Sequence, residues 1–188
     1  MSEIIEIIKS KITDAGFSDD ILSVDEFRGQ AGITIKKGHL LEIAGILRKD
    51  PALNFDLLRD LCGVDFLNIK SNINSNNKSP RFEVVYQLYS IKHKHCIRIN
   101  VQVSEQDPHV ASLTPIWIGA NCHERECFDL FGILFDGHPD LRRILMPEDW
   151  EGYPLRKDYP VEGPEKEWAG FEEVLRKSEE YKQHQWYR

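Results

Sequence analysis

Cys122, His123, Glu124, Glu126, Cys127 and Asp129 crowd into eight positions, and each has a side chain able to do chemistry. As a metal centre, Cys122, His123, Glu126, Cys127 and Asp129 are all ligand types. The two cysteines are five apart, however, outside the two-to-four spacing of structural zinc loops. A four-thiolate cluster would also require Cys62 and Cys96 to converge, with no ferredoxin-like run to bring them together. As acid and base, Glu124, Glu126 and Asp129 would need burial to split their pKa values. The reading favoured here is structural. A Glu-Arg-Glu-x-x-Asp run on a helix offers charge-assisted hydrogen bonds to loop amides and to arginines, with Arg142, Arg143 or Arg156 expected among the partners. On that helix Arg125 and Asp129 share a face and can pair, and Glu126 and Asp129 lie three apart on one side.

The other candidates are weaker. His138, in Gly137-His138-Pro139, reads as a histidine bonding a backbone carbonyl rather than as a proton relay, and His123 has the same default. His93 and His95 read as solvated turn residues. The glycines form neither GxGxxG nor GxxxxGK[ST], so nucleotide binding has no support. The basic pairs Arg142-Arg143 and Arg156-Lys157 are flanked by Leu, Ile, Pro, Trp and Tyr, the mixture of anchors and orienting charge found at protein interfaces.

These residues need elements to position them. Ile116 to Phe131 is helix-compatible, with Pro115 at a tolerated first-turn position and Gly132 as its stop. Ile133 to Phe135 is apolar, and Asp136-Gly137 signals a turn. Pro139, Pro147, Pro154 and Pro160 then forbid long regular elements, so the region must lie on its own domain or on a partner.

Upstream, Ile4, Ile8 and Ile12, supported by Ile5, predict a helix over Ile4 to Ala15 that stops at Gly16. Val24 to Phe27 and Gly32 to Ile35 predict strands of a hairpin. His39 to Lys49 predicts an amphipathic helix ended by Asp50-Pro51. Phe55 to Cys62 predicts a short helix with Asn54 as N-cap, followed by a strand over Val64 to Ile69. Lys70 to Pro80 is polar and reads as a surface loop. Phe82 to Ile91 and Cys96 to Val103 alternate as antiparallel strands with one buried face, and Ser104 to Leu113 is an irregular connection. The order predicts an α+β fold: one domain with helices packed on a mainly antiparallel or mixed sheet, followed by an extended C-terminal arm. Residues 1–135 form the globular domain and 136–188 the partner-binding segment and arm, in which Phe171, Val174, Leu175 and Tyr181 share one helical face.

The 188 residues suit one medium domain, and a net charge of −7 argues against nucleic acid as the main partner. Nothing approaches the roughly 20 apolar residues of a membrane span, and the N-terminus is unlike a signal peptide. No cysteine pair has CxxC spacing, and buried free thiols are expected.

The stretch from Glu124 to Pro160 resembles the signature of the 30-kDa subunit family of NADH:quinone oxidoreductase, respiratory complex I. The resemblance rests on Glu124-Arg125-Glu126, Asp129-Leu130-Phe131, His138, Arg142 and Ile144-Leu145 at the signature spacing. Asp149-Trp150-Glu151-Gly152 and Pro154 to Pro160 also fit. It implies a peripheral-arm subunit, on the cytoplasmic face of the bacterial membrane, that packs against the large quinone-site subunit and near iron–sulfur subunits. FMN, the iron–sulfur clusters and quinone belong to the complex, with no cofactor, metal or catalytic residue expected on this chain. Glu124, Arg125, Glu126, Asp129, His138, Arg142, Arg143, Arg156, Lys157 and Asp158 are then structural or interface residues. Two alternatives stay open. One is the equivalent subunit of a membrane-bound hydrogenase or a ferredoxin- or F420-dependent oxidoreductase. The other is a stand-alone metal-dependent enzyme centred on His123, Glu126 and Asp129.

Overall fold

The computed structural model describes residues 3–67, 80–163 and 170–183. Its elements run α1 (Glu3–Asp14), β1 (Ile21–Phe27), β2 (Gln30–Ile35), α2 (Leu40–Lys49), β3 (Leu57–Asp65), β4 (Phe82–Ser90), β5 (His95–Val103), β6 (His109–Ala111), α3 (Ala120–Phe131), β7 (Leu134–Asp136) and α4 (Phe171–Gln183). The sheet order β1-β2-β5-β4-β3 is antiparallel except where β2 lies parallel to β5, and β6 and β7 form a separate parallel pair. The fold is α+β on a mixed sheet.

Alternation along the strands dictates the core. Phe82, Val84, Tyr86 and Leu88 of β4 and Ile97, Ile99, Val101 and Val103 of β5 are buried, while the residues between them are half-buried. Leu40, Ile43, Ala44 and Leu47 of α2 face Tyr86, Leu88 and Ile99 around a small apolar gap. Ile5, Ile8 and Ile12 of α1 are fully buried, with Ile4 at the margin of the stripe. Each such side chain contributes about 1.5–3 kcal/mol by leaving water. Helix α1 ends at Asp14 and the chain turns away through Gly16, which takes a φ of 88°, and the β1–β2 hairpin turns through Arg28 and Gly29, both at positive φ.

The sequence expectation fails at Phe55 to Cys62, which contains no helix. Strand β3 spans Leu57–Asp65 and pairs with β4. A bulge between Leu58 and Asp60 explains the misreading. It shifts the register so that Leu58 and Leu61, three apart, are both buried, imitating helical spacing. Asn54 caps nothing; it sits at a φ of 42° in the turn between α2 and β3. The strand expected to start at Val64 is the end of β3, and its last two positions lie outside the described residues, as does most of the polar stretch after it.

Two smaller differences concern the approach to α3. The connection expected to be irregular contains β6. The helix begins at Ala120 rather than Ile116, because residues 113–119 form a turn fixed from elsewhere: the Trp117 indole N–H donates to the Phe55 carbonyl at 3.0 Å, and the Leu113 N–H is taken by Glu124. The thiols differ too: only Cys127 is buried, and Cys62, Cys96 and Cys122 are free and exposed.

Candidate functional site

Helix α3 packs on β3 at one edge of the sheet, and the chain after β7 folds back across its C-terminal half. Among the described residues no helix or strand follows Asp136 until Phe171. Side chains of α3 supply the order that the missing backbone ladder cannot.

Asp129, at 0% exposure, is the centre. Its Oδ2 accepts the amides of Ile144, Leu145 and Met146 at 3.0, 2.7 and 2.8 Å, and its Oδ1 accepts Arg143 Nη1 at 2.7 Å. Burial pushes this carboxyl up. The Met146 amide, the Arg143 guanidinium and the Leu145 and Ile144 amides outweigh it and hold the group below its ordinary value of 3.8. One turn earlier, Arg125 donates from Nε to the Arg142 carbonyl and from Nη2 to the Arg143 carbonyl, at 3.1 and 3.0 Å. Arg125 and Asp129 therefore share a face as expected, but they direct their charge to the loop's carbonyls and amides.

The same loop completes the helix end. The last four carbonyls of a helix lack internal partners. Here Phe128 O takes the Gly132 N–H, Asp129 O takes Arg143 Nη1, Leu130 O takes the Leu155 N–H and Phe131 O takes Arg156 Nε. Two guanidinium groups also sit at the negative end of the helix dipole. Arg143 continues to the Trp150 and Gly152 carbonyls, both at 3.0 Å, and Tyr153 lies between Arg143 and Arg156, 5.4 and 4.5 Å from its ring centroid. Gly132 is required twice: its φ is 71°, and a Cβ there would lie 2.5 Å from the Tyr153 ring.

A second anchor holds residues 157–158. Buried Asp65 on β3 accepts the Lys157 N–H at 3.0 Å and pairs with Arg81 at 2.9 Å; Arg81 also reaches Asp158 at 2.6 Å and Glu105 at 2.5 Å. Burial pushes Asp65 up, but the Arg81 hydrogen bond and the Lys157 and Leu67 amides bring it below its ordinary value. His138 closes the other end. One ring nitrogen meets the Asn121 carbonyl at 3.2 Å and the other accepts the Asp140 N–H at 3.0 Å, which fixes the proton on Nε2.

The expected site residues thus separate by role. Asp129, Arg125, Arg143, Arg156 and His138 converge on the loop, Asp158 and the Lys157 backbone on the second anchor. Arg142 is exposed and pairs with Asp140 at 2.9 Å, while its carbonyl serves Arg125. Glu126 is exposed, so it does not share the environment of Asp129. Glu124 is fully buried and faces the other way, toward residues 112–114. Sequence reasoning missed Asp65, Arg81, Ser112 and Tyr153. Arg81 bonds a residue 77 positions away, and no local pattern marks such a pair. His93 is an exposed turn residue as expected, with the Pro51 carbonyl at 2.9 Å, whereas His95, expected in solvent, is half-buried at the start of β5 and meets the Leu53 carbonyl at 2.8 Å.

The residues of the metal alternative do not gather. Asp129 commits both oxygens to the loop, Glu126 points to solvent and His123 lies 3.6 Å from Asp60. Among the described residues no three or more His, Cys, Asp or Glu side chains are grouped to hold an ion.

Residues 33–165 match the family model of the respiratory-chain NADH dehydrogenase, 30 Kd subunit. The chain belongs to this family. The whole clamped loop falls within the match. Among curated members, it is 50% identical over 147 residues to a NADH-quinone oxidoreductase subunit of Roseiflexus castenholzii, covering 78% of this chain and 79% of that one. It is 43% identical over 151 residues to the protein of the same name in Geobacter metallireducens, covering 80% and 87%. A solved trypsin-resistant fragment (1–134) of Nqo5 superposes with a TM-score of 0.57 at 28% identity, covering 71% of this chain and 99% of the fragment. A chain of the membrane-bound sulfane sulfur reductase, an archaeal respiratory membrane complex, shares the fold with a TM-score of 0.65 at 18% identity, covering 95% and 92%. No helix among the described residues of this 30-kDa family member is long and apolar enough to cross a membrane.

Proposed function

We propose that this chain is a non-redox, peripheral-arm subunit of a proton-translocating NADH:quinone oxidoreductase. It packs on the large quinone-site subunit and beside iron–sulfur subunits, on the cytoplasmic side of the membrane. NADH, FMN, the iron–sulfur centres and quinone are handled by other subunits, and this chain contributes structure and assembly.

One observation carries the reading: the loop over 138–159 is held by polar contacts centred on the buried carboxylates of Asp129 and Asp65, yet it leaves large apolar side chains outside. Leu145 is 60% and Leu155 53% exposed, with Ile144 beside them. Such rigid apolar anchors with arginines among them suit a protein interface, because little conformational entropy is lost when a partner docks. The family membership supports the choice of assembly. Beyond the loop, α4 leaves Phe171, Val174 and Leu175 half-exposed while Glu173–Lys177 and Arg176–Glu180 pair along the helix, so its apolar stripe can meet a partner.

The test is a tagged pull-down from gently solubilised membranes, assayed for NADH:quinone reductase activity, flavin and iron. All three are expected to co-purify. Hydrogenase or ferredoxin-dependent activity instead would move the chain to a different complex. Recovery of the chain alone with stoichiometric metal would overturn the proposal.

A further inference from the structure

Glu124 is the second fully buried carboxylate of α3, and whereas Asp129 pairs with Arg143, no cation among the described residues acts on Glu124. Its Oε1 accepts the Leu113 N–H at 2.7 Å and its Oε2 lies 2.6 Å from Ser112 Oγ. The titratable groups facing it are Tyr86 on β4 and Cys127 on its own helix; burial pushes both up, so both stay neutral, and neither side chain can supply a positive charge. Ser112 Oγ lies 2.8 Å from Thr114 Oγ1, and either hydroxyl can be the donor.

This row of oxygens can run in two directions. With Glu124 ionised, Thr114 donates to Ser112 and Ser112 to the carboxylate. With Glu124 neutral, its own O–H donates to Ser112, which donates to Thr114. Both forms keep each bond, but only the ionised form carries a charge out of water without a counter-charge. Leu113 opens the turn that ends in α3 and presents Ile118, which is 90% exposed.

We propose that Glu124 is a proton-operated latch, holding the 112–119 turn closed when neutral and loosening it when ionised. Burial pushes the carboxyl up to about 7 against the bonds from Ser112 and Leu113, so both forms coexist near neutral pH.

The test is amide exchange of residues 113–120 in the full-length chain between pH 5.5 and 8.5, with Glu124→Gln as the reference at each pH. Glutamine reproduces the neutral acid, accepting from Leu113 and donating to Ser112. Protection in the unsubstituted chain relative to the variant is expected to fall roughly tenfold or more as pH rises, with a midpoint near 7. A ratio that stays constant overturns the latch. If the variant does not fold, the carboxyl carbon of Glu124 is titrated directly by NMR. A midpoint near 7 that also moves the Leu113 amide supports the latch, and a carboxylate still ionised at pH 5 overturns it.

Discussion

Two carboxylates on one helix, five residues apart and equally buried, end in opposite electrostatic states. Asp129 gathers three amides and a guanidinium and is held below its ordinary range, whereas Glu124 has one amide and one hydroxyl and is pushed up to about 7. Burial is common to both, so the donors make the difference. The C-terminal half of α3 is a charged clamp for a loop that has no ladder of its own. The N-terminal half is a near-neutral contact to a turn.

Removing the charged clamp should have the largest effect. Asp129→Ala leaves the Arg143 guanidinium and three amides without their acceptor, and a loss of about 3–5 kcal/mol is expected in denaturant melts. A loss below about 1 kcal/mol would mean that the loop is held by its other contacts. Gly132→Ala should cost less, about 1–3 kcal/mol, through the positive φ and the displacement of Tyr153 and Arg156.

Glu124→Gln should be the mildest, within about 1 kcal/mol below pH 5, and it should change the pH dependence. A carboxyl raised from 4.5 to about 7 leaves the folded state unpenalised below 4.5 and destabilises it as pH rises through 7. The variant should therefore gain stability relative to the unsubstituted chain over that window. Asp129 and Asp65 have the opposite sign. Their contributions are present above the ordinary value of 3.8 and are lost as pH falls below it. Melting curves from pH 3 to 8 on the unsubstituted chain, Asp129→Ala and Glu124→Gln would separate the two ends of the helix.

The contrast also marks what the sequence could reveal. Strands β4 and β5 were legible because strict alternation survives in both, and α2 because its apolar stripe is unbroken. Strand β3 was not, because one bulge turned a two-residue period into a three-residue one. At the site, the residue types announced hydrogen bonds to loop amides and arginines, and Asp129 and Arg143 make them. The difference between Glu124 and Asp129 was invisible, since it depends on which loop each meets. The same limit hid Arg81, whose carboxylate partners Asp65, Glu105 and Asp158 are 16, 24 and 77 positions away.

The central claim is that Asp129 holds the loop over 138–159 in shape. Amide exchange at Ile144, Leu145 and Met146 in Asp129→Ala, beside the unsubstituted chain, tests it most directly. Protection at these three amides should collapse while the β4 and β5 amides remain protected. If the three stay as slow as before, the loop owes its order to something other than Asp129, and the account of α3 as a clamp is wrong.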